Sequence, residues 1–261
     1  MLVGKRWVFR YAISPTKLTR RGRDELRDAD GDLHLATDLQ GVGRRKFNVL
    51  AADAPVATPP LPPMSRGAQP DYDDEARKLW SSLGLDALGQ GVPARHSYNA
   101  LDAIYRDAST GGVVYVGNQT AASSRKVQQD HNITHVVNCT DNMPNYHEAA
   151  AGGPTYLRFN ISYWFNAVDG TPASVLAFTA QVFDFVEAAV ASGGAVLIHC
   201  LAGAHRAGTT GVLCLMRKTG LDRKAAVAAA KKLRPAIDPI GSFPELLKRY
   251  EEAKDPKAVR K

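Results

Sequence analysis

Apolar residues are scattered and aperiodic up to about residue 75, and from Val113 onward they fall into short runs that alternate between two periods. The run Val113-Val114-Tyr115-Val116, stopped by Gly117, reads as a buried strand, as do residues 133–139 and 156–161. Residues 121–131, between the first two runs, predict a helix. Over residues 173–191, Val175, Phe178, Val182, Phe183, Val186 and Val190 recur at helical spacing, with Pro172 near the start and Ser192-Gly193-Gly194 past the end. Ala195-Val196-Leu197-Ile198 is wholly apolar and suits a central strand buried on both faces. Three further helices are predicted over residues 206–219, 222–233 and 243–253. Strands that alternate with helices imply an α/β domain, its central and mostly parallel sheet flanked by helices.

The chain upstream has a different character. Residues 54–70 are rich in proline, which supports neither a helix interior nor a sheet ladder, and read as an extended linker. The expected organisation is a basic segment and linker over residues 1–75 with little independent fold, then a connecting helical or loop region over 76–112. The periodic domain follows over 113–253, with a basic tail at 254–261. Asp30-Gly31 and Gly41-Val42-Gly43 read as turns.

A chain of 261 residues, 44% hydrophobic, can bury one sizeable core with an appendage outside it. The formal charge of +7 favours acidic partners without choosing among phosphoproteins, anionic lipid and nucleic acid, so no specific nucleic acid is implied. Only three cysteines occur, Cys139, Cys200 and Cys214, too few and too unpatterned for a disulfide framework or zinc site. A reducing, cytoplasmic setting is expected. The first 23 residues carry seven basic and no acidic side chains, which suits a transit peptide or a solvated arm; the acidic residues from Asp24 onward favour the arm. No stretch approaches the roughly 20 continuous apolar residues of a membrane span, and the chain is expected to be soluble.

One segment carries recognisable chemistry, His199-Cys200-Leu201-Ala202-Gly203-Ala204-His205-Arg206. Cleaving a phosphate monoester takes a nucleophile that is anionic near neutral pH, donors for three equatorial oxygens and a proton for the leaving oxygen. A thiol between the end of a strand and the start of a helix, ringed by backbone N–H groups, supplies the first. Gly203 lets the backbone between bend so that the amides of Leu201 to His205 turn toward an anion. Arg206 offers a planar pair of N–H bonds that lysine cannot reproduce.

The pattern His-Cys-x-x-Gly-x-x-Arg resembles the signature of the protein tyrosine phosphatases, and its surroundings resemble the dual-specificity branch. Those surroundings are Tyr115-Val116-Gly117-Asn118, Ile133-Thr134-His135-Val136-Val137-Asn138 and the closing Arg234-Pro235, Phe243, Leu246 and Tyr250-Glu251. The resemblance implies a protein tyrosine phosphatase-like fold and a phosphocysteine intermediate formed on Cys200. It implies Arg206 and the 201–206 amides as the phosphate site, and His199 as support for the thiolate. It further implies an aspartate some thirty residues before the cysteine as general acid. Asp169 fits by spacing and lies in a loop before the long helix, whereas Asp141 competes for the role and Asp184 reads as a solvated helix charge. The family usually places Ser or Thr directly after the arginine. Here Ala207 stands there, and Thr209 is the nearest replacement hydroxyl, so slow hydrolysis of the intermediate is implied.

The expected substrate is a phosphoprotein, bearing phosphotyrosine or phosphoserine and phosphothreonine. A phosphoprotein-binding module of weak activity is the alternative, and so is a lipid, RNA or glucan phosphatase, although the loop carries none of the lysines that lipid-directed relatives tend to have. Arg20-Arg21-Gly22-Arg23 and Leu33-His34-Leu35 loosely resemble kinase-docking peptides, which allows a kinase as partner. No cofactor is needed, and no metal, because the histidines have no ligand-like spacing.

Overall fold

The computed structural model describes residues 69–82 and 98–255. The basic run, the turns at 30–31 and 41–43, most of the linker and the tail beyond 255 lie outside the described residues.

In chain order the elements are α1 (Tyr72–Ser82), β1 (Leu101–Arg106), β2 (Val113–Gly117), α2 (Gln119–Ser123), α3 (Arg125–Asp130), β3 (Ile133–Asn138) and β4 (Thr155–Arg158). A 3₁₀ turn at Ile161–Tyr163 leads to α4 (Trp164–Ala167), α5 (Pro172–Ala191), β5 (Ala195–His199), α6 (Arg206–Thr219), α7 (Arg223–Leu233) and α8 (Phe243–Lys254). The sheet order is β1-β2-β5-β3-β4, with β1 antiparallel to β2 and every other pairing parallel. β5 is therefore central, and all five of its residues are buried, which is why it reads as an unbroken apolar run.

Several boundaries differ from the sequence expectation for local reasons. The helix expected over 121–131 is two, because Ser124 closes α2 with its backbone and caps α3 with its side chain. The third strand stops at Arg158. The amide of Ile161 bonds back to the Phe159 carbonyl, and the chain turns where Ile161 and Trp164 enter the core. β1 lies in the region expected only to connect, and α1 crosses the boundary placed at residue 75.

α5 is long and apolar enough, at mean hydropathy 1.4, to cross a membrane by length and composition. Val175, Phe178, Val182, Phe183 and Val186 instead enter the core, and Phe183 meets Tyr250 of α8 at 5.2 Å between ring centres. On the sheet's other contacts, α6 comes close because Gly211 carries no side chain: a Cβ there would lie 2.5 Å from Val116 and 2.9 Å from Ile104. The partners of β5 end level with it, Gly117 and Asn138 each pairing with His199. The loops leaving these carboxyl ends form the crevice where α/β sheets bind ligands.

Candidate active site

Buried β5 delivers the chain to Cys200, itself 1% exposed, and α6 begins at Arg206. Between them the backbone is fixed from outside, carbonyl by carbonyl. The Leu201 carbonyl accepts from the Gln119 amide at 2.9 Å and that of Ala204 from the Asp238 amide at 3.1 Å. The Gly203 carbonyl accepts from Arg234 Nε at 3.0 Å, and that of Ala202 from Arg234 Nη2 at 3.3 Å and from the Tyr98 hydroxyl. In a trans peptide the carbonyl of one residue and the N–H of the next point in opposite directions. Four carbonyls held outward thus turn the amides of Ala202, Gly203, Ala204 and His205 to the opposite side, as an anion nest at the head of a helix requires.

Gly203 sits at φ +64°, and a Cβ there would lie 2.4 Å from the Gly117 carbonyl oxygen, so no other residue fits without displacing β2. Arg234 is the residue that sequence reasoning missed. It is 1% exposed, pairs with Asp102 at 2.6 Å, donates to the Asn99 carbonyl and lies over the Tyr98 ring at 4.8 Å. Burial pushes the Tyr98 phenol up to about 12, which keeps it a hydrogen-bond donor. The only trace of this staple in the sequence is Arg234-Pro235 itself; nothing local says that the arginine is buried.

His199 is fully buried, its ring nitrogens have no partner among the described residues, and burial lowers its pKa to about 4, so the ring is neutral. His205 Nδ1 donates to the Asp238 carbonyl at 2.7 Å. Thr209 is buried, and its hydroxyl donates to the His205 carbonyl at 2.6 Å, one helical turn back. That proton is spent within the helix and is not delivered to Cys200. Burial drives the Cys139 thiol far up and the Cys214 thiol to about 12, so both stay protonated.

Arg206 is 3% exposed, its Nε lacks a partner among the described residues, and its Nη2 is ion-paired with Asp73 of α1. Burial opposes its charge, Cys200 and Asp73 restore it, and the balance raises its pKa. A cleft of about 400 Å³ reaches Arg206 and is walled by Asp71, Tyr72, Asp73, Asp141, Tyr163 and Phe165, among others. Another, of about 630 Å³, runs past Leu201 between Trp80, Met143 and Tyr146. Arg158 braces the Asp141 loop by donating to the carbonyls of Thr140 and Met143 at 2.7 and 2.8 Å.

Asp169 lines neither cleft. Its carboxylate accepts from the Thr171 amide at 2.9 Å and the Thr171 hydroxyl at 2.7 Å, at the start of α5. Ser174 and Thr171 hold its pKa down at about 2, so it is an exposed anion. The structure brings Cys200, Arg206 and the 202–205 amides together on one loop, and Asp169 lines neither cleft.

The family model for the dual specificity phosphatase catalytic domain matches residues 114–253. Mouse dual specificity protein phosphatase 19 is 29% identical over 140 residues, 54% of this chain and 60% of that one. Dual specificity protein phosphatase 1 of Arabidopsis thaliana is 27% identical over 153 residues, 57% of this chain and 73% of that one. For Drosophila melanogaster Mpk3, 28% identical over 140 residues, the match spans 54% of this chain and only 32% of the relative. Among solved structures, human DUSP28 aligns with a TM-score of 0.47 and 28% identity, over 62% of this chain and 97% of that one. With the matched region running from β2 into α8 and containing the whole 199–206 loop, the chain belongs to the dual specificity phosphatase family.

Proposed function

We propose that this chain is a cysteine-dependent phosphatase that hydrolyses phosphate monoesters of proteins through a phosphocysteine intermediate. The observation that carries the reading is the loop after Cys200, where the carbonyls of Leu201 to Ala204 are bonded outward in succession between the central strand and a helix headed by Arg206. The Cys200 thiolate attacks phosphorus, the bond to the leaving oxygen breaks, and that oxygen takes a proton. Water then attacks phosphorus and releases the thiolate. The inward amides and Arg206 neutralise charge that builds on the equatorial oxygens.

The proton donor is best sought among carboxyls in the cleft. Asp71 is committed to the amides of Asp73 and Asp74, and Asp73 is paired with Arg206. Asp141 lines the cleft with Arg206 and has neither commitment among the described residues. Asp169 could act only after leaving Thr171. The role falls to Asp141, in place of the residue that spacing alone selects.

Phosphoprotein substrates are supported by the names of the relatives, which are protein phosphatases acting with dual specificity. The loop side chains Leu201, Ala202 and Ala204 offer no cation to a lipid headgroup.

The test is release of an aryl alcohol from its phosphate, with chelator present, across pH. Cys200→Ser is expected to abolish turnover. Asp141→Asn should flatten the basic limb of the profile, and Asp169→Asn should leave it. A basic limb lost in Asp169→Asn instead would return the acid to Asp169. Absence of wild-type turnover, with tungstate still bound, would replace the enzyme by a phosphate-binding module.

A further inference from the structure

Arg206 is almost wholly buried, and a buried guanidinium needs a counter-charge. In this structure the chain supplies one itself. Asp73, 20% exposed, places a carboxylate oxygen on Nη2 of the residue that would clamp phosphate. A carboxylate presents two oxygens to a guanidinium much as a phosphoryl group does.

The contact is held in place rather than reached by a loose side chain. Ala76 on α1 packs with Ala202 and Ala204 of the loop, with Leu79, Trp80 and Leu201 against them. Tyr72 stacks on Phe243 at 4.5 Å and 18° between ring planes. Asp71 accepts from the amides of Asp73 and Asp74 at 2.9 and 3.1 Å and so starts the helix at this point. Asn142 donates to the other Asp73 carboxylate oxygen at 3.2 Å. Tethered in this way, Asp73 competes for Arg206 as an intramolecular ligand. A dianionic phosphate and a carboxylate cannot both sit against one guanidinium without repulsion.

We infer that Asp73, delivered by α1, is an internal competitor for the phosphate clamp, which substrate must displace and which thereby sets the affinity of the site. The inference rests on the reading of Arg206 as the phosphate clamp. It also gives a reason for the apolar loop side chains: Leu201, Ala202 and Ala204 form the seat of α1.

Two variants of the full chain test it, Asp73→Asn, which removes the charge at constant size, and Tyr72→Ala, which removes the stack that anchors α1. Calorimetric titration with inorganic tungstate reads affinity without turnover, and the KM for an aryl phosphate reads it with turnover. Asp73→Asn is expected to bind tungstate about tenfold more tightly and to lower KM in parallel. Tyr72→Ala should shift both in the same direction. Weaker binding by Asp73→Asn would overturn the inference and make Asp73 a residue that holds Arg206 in position; unchanged binding would overturn it as well. Tighter tungstate binding without any turnover would sustain the inference while the phosphatase reading fell. Turnover with unchanged binding would do the reverse. No tungstate binding by either protein would end both.

Discussion

At the scale of single residues, the loop is the part of the site that the sequence shows most directly. Cys200 follows the central strand, Gly203 lies in the turn and Arg206 opens α6, the positions that the proposed chemistry requires of them. Gly203 is the most exacting, since its φ of +64° and the 2.4 Å approach to Gly117 both exclude a side chain. Gly203→Ala is expected to cost about 2 kcal/mol or more in urea unfolding and to remove tungstate binding. Retained binding would show that the loop tolerates a different course. A count back from the cysteine points to Asp169, but such a count cannot see that the amide and hydroxyl of Thr171 hold this carboxylate at the start of α5. Ala207 is fully buried and carries no hydroxyl, and the hydroxyl of Thr209 is committed to the His205 carbonyl. Ala207→Ser should speed decay of the intermediate by about tenfold, the effect of one hydrogen bond to a charged group. The measurement is the pre-steady-state burst, which should shrink in the variant. An unchanged burst would mean that decay is limited elsewhere.

Among the elements, those with one dominant period were legible and those with a local irregularity were not. β5 and α6 come out within a residue of their predicted bounds, because an unbroken apolar run and a helical stripe ending at Gly220 are unambiguous. β1 was hidden by its own bulge. The register slips between Ala103 and Tyr105, so its buried residues Leu101 and Ile104 stand three apart, a spacing that suggests helix rather than strand. Arg234, at the C-terminal end of α7, was invisible for another reason: its partners Asn99, Asp102, Ala202 and Gly203 lie at least thirty residues away and leave no local pattern. It ties β1, α7 and the loop together. Arg234→Lys keeps the charge but cannot serve Asp102 and two loop carbonyls together. It is expected to lower kcat/KM for an aryl phosphate by about 100-fold through a displaced loop, with far-ultraviolet dichroism unchanged. Wild-type kcat/KM in this variant would show that the loop holds its shape without the staple.

For the whole molecule, the neutral histidine at the end of the central strand ties stability to pH. His199 has a folded pKa of about 4, well below the usual histidine value of 6.5. Above 6.5 neither state binds the proton. As pH falls from 6.5 toward 4 the unfolded chain takes it up and the folded one does not, so stability is lost across that window, by about 3 kcal/mol. His135, also lowered by burial, acts in the same direction. Urea unfolding at pH 7 and 4.5 should show this loss in the wild type and much less of it in His199→Gln. An equal loss in both would assign it to other groups. The buried ring therefore couples the integrity of the central strand, and of the loop that leaves it, to neutral pH.

Covalent catalysis by Cys200 would be seen by mass spectrometry of protein quenched in acid during turnover of an aryl phosphate with chelator present. One added phosphoryl group, mapped to the peptide containing Cys200, is expected in the wild type and should be missing in Cys200→Ser. Turnover with no adduct on that peptide, or an adduct that persists in Cys200→Ser on another residue, would contradict it.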